Sequence, residues 1–225
     1  MPDFLRFQRL GFLCNPFRVL TDEEWATLSV VPPVILKAID NSCHHLQLIG
    51  DRGRGKTTLL LGIFSHLQQR AVDASYEYIP EGQRHFNTRQ LPDVFLLDEA
   101  QRLTWWERKR LINGVKHGTR LFLSTHHDFR SIFQRRGLPL EVIDVNSLYD
   151  EQLLLEMWQR RIDHFRTDTS PLALTTDGVK FLIDLYGNDR RSMERFLYEA
   201  FQALETPQPL NGAYLSDFRK PIHFE

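Results

Sequence analysis

The sequence predicts an α/β fold, with a parallel β-sheet sandwiched by helices and an all-helical C-terminal lid subdomain after it. Three observations predict it. Short apolar runs alternate with segments of helical periodicity over the first two thirds of the chain. One of those runs ends in a glycine-rich turn that opens directly into an amphipathic helix. After Tyr149 the strand-like runs stop.

The elements follow in order. An NPF turn (Asn15, Pro16, Phe17) comes first, then a capping box at Thr21 and Glu24 that opens a short helix carrying Trp25. Pro32 and Pro33 break the chain before a second helix over residues 34–40. The run 46–49 reads as the first strand. Residues 56–69 form a helix with Leu59, Leu60, Ile63, Phe64 and Leu67 on one face. Strands are predicted at 76–79, 94–97, 121–124 and 141–145, with a helix at 106–115. In the tail, Leu154, Trp158, Ile162 and Phe165 mark one amphipathic helix. A second runs over 178–186 and is closed by Gly187, and a third covers 189–204.

Composition sets limits. The chain has 225 residues, 42% hydrophobic and 25% charged, which suits one compact globular domain or a core domain with a small appended lid. A formal net charge of −1 gives no global positive field, so any contact with DNA has to come from a local patch. Cys14 and Cys43 show neither CxxC spacing nor a Cys/His cluster, so reduced thiols are expected. No apolar stretch approaches the ~20 residues that span a bilayer. The N-terminus has no signal-peptide core, and a cytoplasmic protein with no membrane partner is expected.

The strongest motif is GDRGRGKTT. Gly50, Gly55, Lys56 and Thr57 satisfy GxxxxGK[ST], the phosphate-binding P-loop. Glycines at Gly50, Gly53 and Gly55 let the backbone N–H groups of Asp51, Arg52, Arg54 and Thr58 turn toward phosphate oxygens at a helix N-terminus. Lys56 reaches the β- and γ-phosphates, and the Thr57 hydroxyl ligates Mg²⁺. Downstream, DVFLLDEAQRL ends an apolar strand in Asp98 and Glu99. Asp98 is assigned to Mg²⁺, and Glu99 to orienting and polarising the attacking water. No NKxD guanine-reading motif and no LSGGQ-like signature is present, which points to ATP and away from transporter-type ATPases.

With RLFLSTHHD and YGNDRRSMERFLYEAF added, the sequence resembles an AAA+ P-loop ATPase. It is similar to the ExeA and transposition-regulator (MuB, TniB, TnsC-like) branch, from the NPF turn to about residue 204. The resemblance implies a sensor 1 residue between the two carboxylates, Thr125 first and Ser124 second. It implies an arginine finger in DFRSIFQRRGLP, Arg135 or Arg136 with Arg130 behind, reaching the ATP of a neighbouring subunit. Phe12, Pro16 and Phe17 resemble the segment that packs on adenine. Sensor 2 follows from periodicity as well. The buried face Met193, Phe196, Leu197, Ala200, Phe201, Leu204 extends back to Arg190, where the family's GxxR falls, and leaves Arg191 solvated. His126 and His127 read as a surface turn.

The expected organisation is an N-terminal segment over 1–40 near the nucleotide, a P-loop core over 41–147, a helical lid with sensor 2 over 148–206 and a tail over 207–225. The resemblance implies a homo-oligomer, ring or filament, that binds ATP and Mg²⁺ and hydrolyses ATP between subunits. Its partners would be DNA and a transposase-like protein. Two alternatives are a nucleotide-gated adaptor with little hydrolysis and an ExeA-like secretion ATPase, which ordinarily carries a membrane segment and a peptidoglycan-binding tail. The connection IPEGQRHFNTRQLPD is short for a parallel crossover. Arg84, His85 and Arg89 in it are candidates for a DNA-facing surface. Trp105 and Trp106 are candidates for stacking on a partner, although helical spacing puts at least one of them in the core.

Overall fold

The structure is a computed structural model that describes residues 3–41, 44–115, 118–167 and 170–219. Cys43 lies outside these residues. The chain forms two compact units. One runs from Trp25 to Leu148; the other joins the first 24 residues to the chain from Tyr149 onward.

The sheet unit holds five strands, β1 (His45–Ile49), β2 (Ala74–Tyr78), β3 (Val94–Asp98), β4 (Arg120–Thr125) and β5 (Leu140–Asp144), in the order β2-β3-β4-β1-β5. Every pairing is parallel. Strands β3 and β4 lie inside the sheet and are buried almost throughout, which is why they read as unbroken apolar runs. Edge strands β2 and β5 are only half-buried. The helices of this unit are most of α2 (Asp22–Leu28), α3 (Pro33–Asp40), α4 (Lys56–Gln69), α5 (Trp105–Val115) and α6 (Arg130–Gln134). The strand order reverses beside β1, because its chain crosses over to β2 while β5 pairs on its other side. Crevices at the carboxyl ends of such strands are where this class of sheet holds ligands.

No helix occupies the connection from β2 to β3. Phe86 is instead driven into the core beside Phe95, and Glu77 accepts hydrogen bonds from Asn87 N, Thr88 N and Thr88 Oγ1 at 2.5–3.1 Å. The Arg110 guanidinium stacks 3.7 Å from the centre of the Phe86 ring and donates to the carbonyls of Phe86 and Thr88. A short loop thus obtains from side chains the order that a helix would supply.

The helical unit contains α1 (Asp3–Arg9), α7 (Glu151–Phe165), α8 (Thr176–Tyr186), α9 (Arg190–Ala203) and α10 (Gly212–Arg219). Phe7, Phe12 and Phe17 surround Phe201 with ring centroids 5.2–6.3 Å away, and residues 12 and 166 form an antiparallel bridge. Asn15 holds the NPF turn by donating to Tyr198 O at 3.0 Å. Residues 1–40 are therefore split between the units, within α2, and are not one segment. Residues 25–40 stay with the sheet, where Arg120 donates to Ile39 O (3.0 Å) and Asn41 O (2.9 Å) at the C-terminus of α3. The expected tail contains α10, begun by Asn211 Oδ1 accepting from Tyr214 N and docked by Tyr214 Oη donating to Ala200 O, both at 2.8 Å. Among the described residues no helix is long and apolar enough to cross a membrane.

Candidate functional site

Residues 50–55 leave the carboxyl end of β1 and feed α4. Gly53 and Gly55 take φ of 83° and 87°, where a β-carbon is strained. Gly50 needs no such angle. A β-carbon there would meet Asn146 Oδ1 at 3.4 Å and Val145 Cβ at 3.5 Å, so its role is close approach to the turn after β5. Lys56, only 5% exposed, folds back under the loop and donates to Gly50 O (2.7 Å) and Asp51 O (2.8 Å). Burial lowers the pKa of its ammonium, and the Glu99, Asp98 and Asp51 carboxylates oppose that shift. Arg54 carries a buried Nη1 with no partner among the described residues. Asp51 and Arg52 are exposed.

Asp98 ends β3 fully buried, and a buried carboxylate has to be satisfied by donors. Thr57 Oγ1 donates to its Oδ2 at 2.7 Å and Tyr76 Oη to the same oxygen at 3.2 Å. The other oxygen takes Glu99 N at 3.0 Å and the Ser124 hydroxyl. Thr57 and Asp98, far apart in sequence, are thereby brought into contact. The oxygens of Thr57 and Asp98 are the hard donors that suit Mg²⁺, and the orphaned Arg54 nitrogen in the loop suits a phosphate oxygen.

Glu99 sits in the left-handed region at φ 60°. Its carboxylate accepts from Gln101 Nε2 at 2.8 Å and lies 3.1 Å from the Arg102 guanidinium, which is itself anchored on Ile79 O at 2.6 Å. His126 lies on its other side. One ring nitrogen, Nε2, is 3.5 Å from Glu99 Oε1, and Nδ1 is 2.9 Å from Gly50 O and 3.5 Å from Lys56 Nζ.

Two placements differ from expectation. Ser124, and not Thr125, touches Asp98. Alternate residues of a strand face opposite sides, so only one of the pair can do so. The Thr125 hydroxyl accepts from Gln47 Nε2 at 2.5 Å and donates to His127 O at 2.7 Å, which folds the turn after β4. Phe17 is a core side chain of the helical unit, packed against Phe201 with the Arg161 guanidinium 5.9 Å from its ring, and it is nearly unexposed. That packing leaves little ring surface to meet an adenine.

Sequence reasoning missed His126, Gln101, Arg102 and Tyr76. The signal for His126 was its position directly beyond the end of β4. Tyr76 stands two residues before Tyr78, which pairs with Asp98 across the sheet.

Arg190 belongs to the helical unit and is 5% exposed, whereas Arg191 is exposed. Its Nη2 is 3.4 Å from Glu194 Oε1 and its guanidinium lies 4.5 Å from the centre of the Tyr149 ring. Its Nε and Nη1 have no hydrogen-bond partner within 3.5 Å among the described residues. Arg135 and Arg136 are exposed at the end of α6 and line a groove with α5.

Sheet order and loop geometry together define the fold of an AAA+-type P-loop NTPase with a helical C-terminal region. A comparison with protein-family models gives no match, and neither does one with curated proteins. Among solved structures, the chain is similar to the replication initiator DnaA bound to AMPPCP and single-stranded DNA. The identity is 15% and the TM-score 0.54, over 84% of this chain and 67% of that one. It is also similar to the Thermotoga maritima RuvB Holliday junction branch migration motor (16%, 0.52, 87% and 66%). A third is NtrX from Brucella abortus in complex with ADP (12%, 0.54, 89% and 59%). The chain spans only 59–67% of the length of these proteins.

Proposed function

We propose that the protein is an AAA+-type ATPase that binds ATP with Mg²⁺, assembles with copies of itself and hydrolyses ATP between subunits. Its role is to regulate a DNA-acting machine such as a transposase. The observation that carries the reading is the contact of Thr57 with Asp98 beside Lys56 and Glu99, at the carboxyl ends of β1 and β3. The loop amides and Lys56 hold the phosphates. Thr57 and Asp98 hold Mg²⁺, which neutralises phosphate charge when bound. Glu99 orients the attacking water, and Ser124, with His126 beside it, fixes the geometry of the two carboxylates. Arg190, at the first turn of α9 where the resemblance puts sensor 2, serves as the nucleotide sensor of the helical unit. Arg135 or Arg136 supplies the finger to a neighbouring subunit.

The DNA role rests on the sequence resemblance to the transposition regulators. It is also supported by the printed descriptions of two similar structures, one bound to single-stranded DNA and one a Holliday junction motor. A second reading, a nucleotide-gated adaptor with slow turnover, is favoured by the hold of Gln101 and Arg102 on Glu99, since a carboxylate already engaged by an amide and a guanidinium is not free to orient a water.

The test is ATP turnover with nucleotide binding measured in parallel. Glu99→Gln should lose turnover by at least ~100-fold while binding persists, and Lys56→Ala should lose binding. Arg135→Ala/Arg136→Ala protein mixed with wild type should depress activity more than dilution does. Normal turnover by Glu99→Gln would overturn the base assignment. Slow wild-type turnover that rises in Arg102→Ala would favour the adaptor.

A further inference from the structure

Trp105 and Trp106 open α5, and both are out in solvent, at 64% and 70% exposure, with centroids 4.4 Å apart and planes at 74°. This corrects the expectation that one of them is core. A tryptophan side chain presents about 150–250 Å² of largely apolar surface, and two side by side form a patch that a chain ordinarily covers. One turn on, the Lys109 ammonium lies 5.5 Å and 6.0 Å from the two ring centres. Beyond it the groove between α5 and α6 is walled by Ile112 and Ile132 and edged by Arg135 and Arg136. The acid of this stretch, Glu107, is turned to Arg110 at 3.2 Å and leaves the cations unopposed. In a chain of net charge −1 such a concentration of positive charge is local.

We infer that this groove binds single-stranded nucleic acid. Flat apolar faces beside cations match a polymer that carries both bases and phosphates. Stacking needs bare base faces, which a duplex hides between its own pairs, so a single strand is the occupant. Trp105 and Trp106 stack on bases, and Lys109, with whichever of Arg135 and Arg136 is not the finger, meets the phosphates. The inference stands on α5 and α6 alone and does not depend on the nucleotide site.

The experiment is fluorescence anisotropy of a labelled single-stranded oligo-dT with the full chain in the absence of nucleotide. Trp105→Ala/Trp106→Ala and Lys109→Ala are measured beside wild type, and thermal melting checks that each is folded. Wild type should bind with an affinity that falls as salt rises. The double tryptophan variant should bind at least ~10-fold more weakly, since stacking contributes about 1–3 kcal/mol per base. Lys109→Ala should lower the salt slope by about 0.7. ATP binding by the double variant should equal that of wild type, which separates failure here from failure of the ATPase reading. The inference is overturned if wild type does not bind oligo-dT, if the folded double variant binds within about twofold of wild type, or if a duplex of equal length binds as tightly. It is also overturned if the variant loses self-association instead, which would make the groove a contact between copies of this chain.

Discussion

At the scale of single residues, several chemical decisions rest on which face of a strand a side chain occupies. His45, near the start of β1, is buried with Nδ1 accepting from Leu121 N at 3.0 Å, and burial lowers its pKa from 6.5 to about 4. The unfolded chain takes up the proton first as pH falls, so the neutral imidazole contributes stability that is whole above pH ~6.5. That stability is lost as pH falls toward ~4, by up to about 3 kcal/mol. Urea denaturation between pH 7 and pH 4 should show the loss, and His45→Asn, which keeps an acceptor for Leu121 N, should flatten it. An equally steep fall in His45→Asn would assign the acid sensitivity elsewhere. The same alternation of faces explains what could be read at the site. Lys56, Thr57, Asp98 and Glu99 were legible because spacing within a loop and at a strand end dictates them. The choice between Ser124 and Thr125 was not, because it turns on the phase of β4, and Gln47, which folds the turn beyond it, is 78 residues from Thr125. His126 was lost for the same reason.

At the scale of elements, periodicity identified the strands and most helices, with α4 beginning and ending as read. The misses are short pieces. Helices α1, α6 and α10 have 7, 5 and 8 residues and are held by packing more than by their own propensity. Strand β2 starts at Ala74, earlier than its apolar pattern suggests, because an edge strand is half-exposed and its bounds are set by pairing with β3. Gly178, in the first turn of α8, shows what that packing demands. A β-carbon there would stand 2.3 Å from the carbonyl oxygen of Leu210, a backbone atom that also accepts from Thr175 Oγ1 at 3.3 Å. Gly178→Ala should therefore destabilise by about 1–3 kcal/mol despite the better helix propensity of alanine. Lys180→Ala, on the exposed face of the same helix, should stay within about 0.5 kcal/mol. Comparable melting temperatures for the two variants would show that the contact at residue 210 yields freely.

At the scale of the whole molecule, the alternation of apolar runs and helices was enough to foresee a parallel sheet followed by a helical region. The assignment of the N-terminus was not foreseeable, since a phenylalanine in an irregular segment carries no mark of which core receives it. Phe7, Leu10, Phe12 and Phe17 are all buried and belong to the helical unit. Removal of residues 1–24 should strip amide-exchange protection from α7, α8 and α9 while β3 and β4 keep theirs. Uniform loss across both units would mean that the two fold as one cooperative body.

Residues 7–17 share one core with α7 and α9, which follow the sheet unit in sequence, and this has a consequence for how the protein comes into being. A ribosome releases the opening phenylalanines long before the helices that shelter them exist, while residues 25–148 can close on themselves meanwhile. Until Phe201 emerges, Phe7, Phe12 and Phe17 have no core to enter, and a chain cut short before α9 would hold a finished sheet beside unsheltered aromatic rings.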